Sequence, residues 1–181
     1  ACLAVELLLE AGVPRVVLQL LPGQGATVGA RLTSDPRIGG VCFTGSTATA
    51  QRINRTMAET AAPDAPLIAE TGGLNAMIVD STALPEQAIK DVVVSAFQSA
   101  GQRCSALRLL YLQEDVAETF LAMLYGAMDE LSLGNPWELS TDVGPVISDT
   151  ARADIAAYIE AARSEGRLMK EGAVPGTGTF I

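Results

Sequence analysis

Three short stretches of the sequence hold the side chains that could do chemistry. Cys104 lies in AGQRCSAL, Glu70 ends the apolar run PLIAE, and Ser46 follows a glycine in FTGST. A thiolate is a nucleophile, a carboxylate can act as a general base, and a Gly-Ser turn at the start of a helix can bind a phosphate. The chain contains no histidine, so a Cys-His dyad within it is excluded. Cys104 would therefore need a carboxylate base or a cationic cofactor.

Each stretch also has a purely structural interpretation. Cysteine is often a small core residue, a serine after a strand commonly caps a helix, and a glutamate at a strand end is often only solvated. The polar, turn-like neighbours of Cys104, which are Gly101, Gln102, Arg103 and Ser105, weaken the core interpretation. Arg103 could favour a thiolate, whereas the carboxyl end of the helix predicted just before it would oppose one.

Composition excludes several classes of function. The chain has 181 residues, of which 49% are hydrophobic and 18% charged, a balance typical of globular domains. The net charge of -9 argues against a nucleic-acid or anionic-membrane partner for this segment. Three irregularly spaced cysteines and the lack of histidine predict neither disulfides nor a metal site, and favour a reducing compartment.

The two ends of the sequence predict a segment of a longer protein. The chain starts without Met, and Glu6 and Glu10 interrupt its first apolar run, so neither a signal peptide nor a transmembrane segment is expected. The last residues, GTGTFI, carry no helix stop and no polar tail.

Apolar runs of strand length alternate with helical patterns along the chain. The patterns predict strands at 16–21, 39–45, 66–70, 76–80 and 107–112, and helices at 2–11, 26–32, 46–59, 84–100, 116–131 and 149–164. Such alternation predicts an α/β protein with parallel strands, which binds ligands at the carboxyl ends of its strands. The double glycine at 72 and 73 predicts a hinge, and hence domains at 1–71 and 72–181.

Taken in order, FTGST, ETGG and GQRC resemble motifs of the aldehyde dehydrogenase superfamily. Cys104 follows Glu70 by 34 residues, which is similar to the family's spacing between its base and its nucleophile. The stretches AETGGLNAMIVD and SAFQSAGQRCSALRLLYLQEDVA resemble the L-glutamate γ-semialdehyde (1-pyrroline-5-carboxylate) dehydrogenase branch. The resemblance implies an aldehyde-dehydrogenase-like α/β fold. Residues 1–71 would be the C-terminal part of a Rossmann-type NAD-binding domain, and 72–181 the N-terminal part of an α/β catalytic domain.

The resemblance also implies roles for individual residues. Cys104 would form a thiohemiacetal and then a thioester, and Glu70 would activate the water that hydrolyses it, converting L-glutamate 5-semialdehyde to L-glutamate with NAD. Ser105 would bind the substrate carboxylate, and Arg103 would contact the substrate or form a structural salt bridge. No metal is implied. The residues expected to contact NAD are Gly25, Phe43, Thr44, Gly45, Ser46, Thr71 and Gly72.

Expectations for the parent protein follow from the same resemblance. It would be a homo-oligomer of the bacterial cytoplasm, with an FAD-containing proline dehydrogenase module, and any membrane association would come from other parts of the chain. Two enzyme alternatives are a succinate semialdehyde dehydrogenase and a CoA-acylating dehydrogenase, and Glu70 argues against the second. A non-catalytic module of the same fold is a further alternative, against which the presence of both Cys104 and Glu70 argues.

Overall fold

The computed structural model describes residues 1–181, which form two compact units, Ala1–Thr71 and Gly72–Ile181. Each unit contains one parallel pair of strands with a helix between them in the sequence. The assignment of the first unit to a cofactor domain and of the second to a catalytic domain stays a prediction.

The first unit is built around the strand pair β1 (Val41–Thr44) and β2 (Leu67–Glu70). The strands run parallel, and their last residues, Thr44 and Glu70, are paired, so both strands end at the same edge. Helix α3 (Thr47–Thr60) lies between them in sequence and buries a stripe spaced at three and four residues, Ala50, Ile53 and Met57. The remaining elements are α1 (Cys2–Glu10), a π-helical turn (Gly25–Gly29) and α2 (Ala30–Thr33).

The second unit is built around the parallel pair β3 (Asn75–Val79) and β4 (Leu107–Leu112). Its helices are α4 (Pro85–Phe97), α5 (Glu114–Asp129) and α6 (Asp149–Ser164), and a 3-10 turn (Gln98–Gly101) follows α4. Strands β3 and β4 share one core with α4 and α5, which consists of Val79, Ile89, Val92, Leu107, Phe120 and Leu124. This core supports the start of β4, which directly follows the cysteine loop.

The structure confirms the α/β class and most of the predicted elements, but the strand predicted at 16–21 is wrong. Residues 15–17 form a turn in which the Val17 amide donates to the Pro14 carbonyl at 3.0 Å. Val16 and Val17 are 82% and 70% exposed. A strand needs a neighbouring strand for its hydrogen bonds, and within residues 1–181 no strand pairs with this run.

The helix predicted at 84–100 ends three residues early, at Phe97. Ser99 and Ala100 have φ angles of 57° and 53°, in the left-handed region, so the helix cannot continue through them. The helix predicted at 116–131 also ends early, at Asp129. The first of these differences shapes the loop that carries Cys104.

Two further structural findings bear on function. None of the helices is both long enough and apolar enough to cross a membrane. Cysteine and carboxylate side chains do not gather anywhere in groups of three or more that could hold a metal ion.

Candidate active site

Cys104 lies at the tip of a β-turn in the second unit. The Ala106 amide donates to the Arg103 carbonyl at 3.2 Å, which makes Cys104 and Ser105 the two central residues of the turn. Both central residues are exposed, whereas Ala106 is completely buried. The turn thus exposes the thiol to solvent, while the last residue of the turn is anchored in the core.

The backbone just before this turn is strained. Ser99, Ala100 and Gly101 are three consecutive residues with positive φ, and Gly101 has a φ of 66°. Each non-glycine residue in this region costs on the order of 1 kcal/mol or more, so it persists only where the surroundings hold it. Gly101 is also crowded, because a Cβ there would lie 2.8 Å from the Ala96 carbonyl oxygen.

Gln102 holds this strained segment in place. Its Nε2 donates to the Ser99 carbonyl at 3.0 Å and, more weakly, to the Pro145 carbonyl at 3.4 Å. Its Oε1 accepts from the Ile147 amide at 2.8 Å. The Arg108 guanidinium donates to the Gly101 carbonyl from the other side. The loop before Cys104 is therefore tied both to β4 and to the segment that precedes α6.

Asn75 holds the loop on the other side of Cys104. Its Nδ2 donates to the carbonyl oxygens of Cys104 at 2.7 Å and Ala106 at 2.9 Å. Sequence reasoning missed this residue. The available signal was an asparagine at the first position of a strand, where this residue type is depleted. Its partners lie about thirty residues away, which a sequence pattern does not reveal.

Arg103 is engaged by the carboxyl end of α4. Its Nη2 donates to the Val94 carbonyl at 3.1 Å and approaches the Ser95 carbonyl at 3.4 Å, while its Nε is buried without a partner. These carbonyl contacts take the place of the salt bridge considered from the sequence. A cation is favoured at this end of a helix by the helix dipole. Contact of Arg103 with a substrate stays a prediction.

Glu70 and the FTGST turn lie side by side in the first unit. The Gly45 amide donates to the Glu70 carbonyl at 3.1 Å, at the edge where β1 and β2 end. Ser46 caps α3, because its Oγ accepts from the Thr49 amide at 3.2 Å. The Glu70 side chain is exposed. A carboxylate and the free amides of a helix start thus occupy one strand edge.

A groove of about 370 Å³ lies in the same unit. Gly25 and Gly29 contribute backbone without side chains, and Phe43 and Ile53 contribute apolar surface. Gly45 lies beside the Phe43 ring, and a Cβ at this position would force the tip of the ring to move. Ala26, Ala30, Thr33, Val41, Thr49, Arg52 and Thr56 complete the lining.

The predicted site residues therefore form two groups. Gly25, the FTGST turn, Glu70 and Thr71 belong to the first unit, and Cys104 with its neighbours belongs to the second. Thr71 is half-buried and ends the first unit. Gly72 opens the second, is exposed, and has no atom within 4 Å of where a Cβ would stand.

Comparison with known proteins defines the class of protein to which this fold and these two groups of residues belong. The whole chain, residues 1–181, matches the aldehyde dehydrogenase family, and the chain belongs to that family. Among individual proteins it is 59% identical over 172 residues to the bifunctional protein PutA of Klebsiella aerogenes, covering 93% of this chain and 13% of that protein.

Solved structures give the same picture. A structure of Bradyrhizobium japonicum proline utilization A (PutA) matches with a TM-score of 0.93 and 53% identity, over 98% of this chain and 18% of that one. A 1-pyrroline-5-carboxylate dehydrogenase from Thermus, solved with bound NAD, matches with a TM-score of 0.89 and 38% identity. The match covers 97% of this chain and 35% of that one. The chain spans between about one eighth and one third of the length of these relatives.

Proposed function

We propose that the protein containing this chain is an NAD-dependent L-glutamate γ-semialdehyde dehydrogenase, which oxidises L-glutamate 5-semialdehyde to L-glutamate. The observation that carries the proposal is the exposed thiol of Cys104 on a turn that side chains hold on both sides. The similarity to a 1-pyrroline-5-carboxylate dehydrogenase and to PutA proteins supports this substrate.

The first unit fits NAD by its chemistry. The groove floored by Gly25 and Gly29 suits a flat ring such as adenine, since two glycines leave the backbone open to close approach. Ser46 and the free amides at the start of α3 suit a pyrophosphate, because the positive end of a helix dipole favours an anion. We assign Phe43, Thr44 and Gly45 to the same cofactor surface, and Thr71 and Gly72 to the nicotinamide side.

Cys104 and Glu70 supply the reacting groups. The Cys104 thiolate adds to the aldehyde carbon, and the backbone amide of Cys104 donates a hydrogen bond to the resulting oxyanion. NAD held by Ser46 and the start of α3 would supply the hydride acceptor, and loss of hydride from this carbon would leave a thioester on Cys104. Glu70 takes a proton from water as the water oxygen adds to the thioester carbon, and the Cys104 thiolate then leaves to release the carboxylate product.

Neighbouring residues position the substrate. The Ser105 hydroxyl, exposed beside the thiol on the same turn, binds the α-carboxylate of the semialdehyde. We propose Arg103 as a second contact of the substrate, with its guanidinium oriented by hydrogen bonds to carbonyl oxygens of α4. For the parent protein we propose a homo-oligomer of the bacterial cytoplasm, joined to an FAD-containing proline dehydrogenase module.

The proposal is tested in the intact protein by replacing Cys104 and, as a matched control, Cys42, which is also exposed. NADH formation from L-glutamate 5-semialdehyde should be lost in the Cys104→Ala protein, because the thiol proposed to form the thioester is removed, and should be retained in the Cys42→Ala protein. Full activity without Cys104 would refute the nucleophile.

The same assay separates the alternative activities. A higher kcat/KM for succinate semialdehyde than for glutamate semialdehyde would overturn the proposed substrate, and turnover that requires CoA would overturn hydrolysis by Glu70. Failure of the intact wild-type protein to bind NAD would favour a non-catalytic module.

A further inference from the structure

We propose that Asn75 is a positioning residue that sets the geometry of the Cys104 nucleophile. The inference rests on the proposed function, in which Cys104 attacks the aldehyde. Neither the residue pattern nor the comparisons assign a role to Asn75, which lies five residues after Glu70 in the sequence. Its side chain is the only one that hydrogen-bonds the carbonyl oxygens on the C-terminal side of the thiol, those of Cys104 and Ala106.

The chemistry of this contact fits asparagine specifically. Both partners are backbone carbonyls, which only accept hydrogen bonds, so the amide NH2 must face them and gives one hydrogen to each. Aspartate has the same shape but carries only acceptor oxygens, which would repel both carbonyls. Serine offers a single donor. The two distances, 2.7 Å and 2.9 Å, are those of well-formed hydrogen bonds.

The contact fixes the part of the backbone on which the proposed reaction depends. The Cys104 carbonyl defines the peptide plane between Cys104 and Ser105, and the Ala106 carbonyl defines the plane that leads into β4. Between them lies Ser105, the proposed carboxylate contact. On the other side, Gln102 holds the left-handed segment that leads into the Cys104 turn. Removing the Asn75 donors would leave the thiol and Ser105 on a turn that is held at one side only.

The position of Asn75 makes it a rigid support. It begins β3 and is paired with Leu107, the first residue of β4, so its own backbone belongs to the strand pair that forms the core. The Leu107 amide also donates to the Ser95 hydroxyl at 3.2 Å, which ties the start of β4 to α4. Asn75 therefore attaches the turn that carries the thiol to the strand pair of the core.

A matched control lies at the opposite end of the same strand pair. Gln113 directly follows β4, and its Oε1 accepts from the Ser81 amide, just beyond β3, at 2.9 Å. This contact also joins the two strands through a side-chain amide, but at the end far along both strands from Asn75 and Cys104. Loss of Gln113 should lower stability without moving the thiol.

The experiment compares Asn75→Asp, Asn75→Ala and Gln113→Ala in the intact protein. Each variant is treated with iodoacetamide, and the alkylation rates of Cys104 and Cys42 are followed by peptide mass spectrometry. Both thiols are exposed, so Cys42 serves as an internal reference. The Cys104/Cys42 rate ratio should change by about threefold or more in both Asn75 variants and stay at the wild-type value in Gln113→Ala, since misplacing a reacting group alters its rate.

Steady-state kinetics give the second readout. In Asn75→Asp, kcat should fall by about tenfold to a hundredfold, with the KM for NAD unchanged, because a displacement of about 1 Å has effects of this size. Asn75→Ser, which keeps one donor and adds no charge, should lie between the wild type and Asn75→Ala. It also replaces Asn75→Asp in both assays if that protein does not fold.

The outcomes separate the two proposals. A wild-type rate ratio and a wild-type kcat in the Asn75 variants would overturn the positioning role, as would an equal change in Gln113→Ala. Full activity in Cys104→Ala would instead overturn the proposed function, while the alkylation ratio would still report whether Asn75 holds the loop.

Discussion

Replacing Gly101 by alanine tests whether the strained segment before Cys104 depends on glycine. Gly101 has a φ of 66°, where a Cβ costs roughly 1 to 2 kcal/mol. The added Cβ would also lie 2.8 Å from the Ala96 carbonyl oxygen, closer than such atoms approach. Relieving that overlap adds about 1 kcal/mol, because the carbonyl belongs to the rigid end of α4. The expected total loss of local stability is about 2 to 3 kcal/mol.

Hydrogen exchange measures this loss directly in the intact protein. A loss of about 2 to 3 kcal/mol should speed amide exchange in β4 by roughly 30- to 150-fold, since about 1.4 kcal/mol corresponds to a factor of ten. NADH formation should fall as well, because Gly101 lies three residues before the proposed nucleophile.

Gly126 is the matched control for this substitution. It lies inside α5, has an ordinary helical φ, and has no atom within 4 Å of an added Cβ. Gly126→Ala should therefore slow exchange in α5 by about fivefold, because alanine is favoured over glycine in a helix by roughly 1 kcal/mol. Unchanged exchange in Gly101→Ala, or slower exchange in both variants, would refute the reasoning.

Two further predictions concern a helix cap and a carboxyl group. Ser46→Ala should weaken NAD binding by about tenfold or more and speed amide hydrogen exchange at the start of α3. Ser148→Ala removes the equivalent cap from α6 and should leave the Kd for NAD unchanged. Equal Kd values in the two variants would contradict the proposed phosphate contact of Ser46. Hydrogen bonds from the Thr82 hydroxyl and amide lower the pKa of Asp80 below its usual value. The folded state therefore favours the carboxylate, so this stabilisation is complete above about pH 4 and is lost as the pH falls through the lowered pKa. Asp80→Asn should lose stability less steeply on acidification, measured as the Tm at a series of pH values, and an unchanged slope would contradict this contribution.

The sequence is sufficient to predict those helices whose formation depends on a local periodicity of apolar residues. The buried stripe of α3, formed by Ala50, Ile53 and Met57, follows from residue spacing alone, and so does the position of α6. The run at 16–21 was misassigned because apolar composition does not reveal whether a partner strand is present. Residue spacing thus predicts helices, but it does not predict which apolar runs find a partner strand.

In the candidate site, too, the sequence predicts what local motifs carry and misses what depends on contacts between distant residues. Motifs and their separation single out Cys104, Glu70 and the FTGST turn from the sequence alone. The left-handed Ser99 and Ala100 were missed because neither residue type favours that conformation, which the Gln102 side chain stabilises by bonding both Ser99 and the distant Ile147 amide. Asn75 was missed because both of its acceptors are carbonyl groups, which every residue carries and no sequence pattern distinguishes.

The two parallel strand pairs bear on how the chain acquires its structure during synthesis. Strands β1 and β2 are separated in sequence only by α3 and its flanking loops, so their pairing needs no residue beyond Glu70. A ribosome that synthesises from the N-terminus has therefore added both strands of this pair before it adds Cys104. Cys104, the proposed nucleophile, emerges from the exit tunnel after both strands of the first pair.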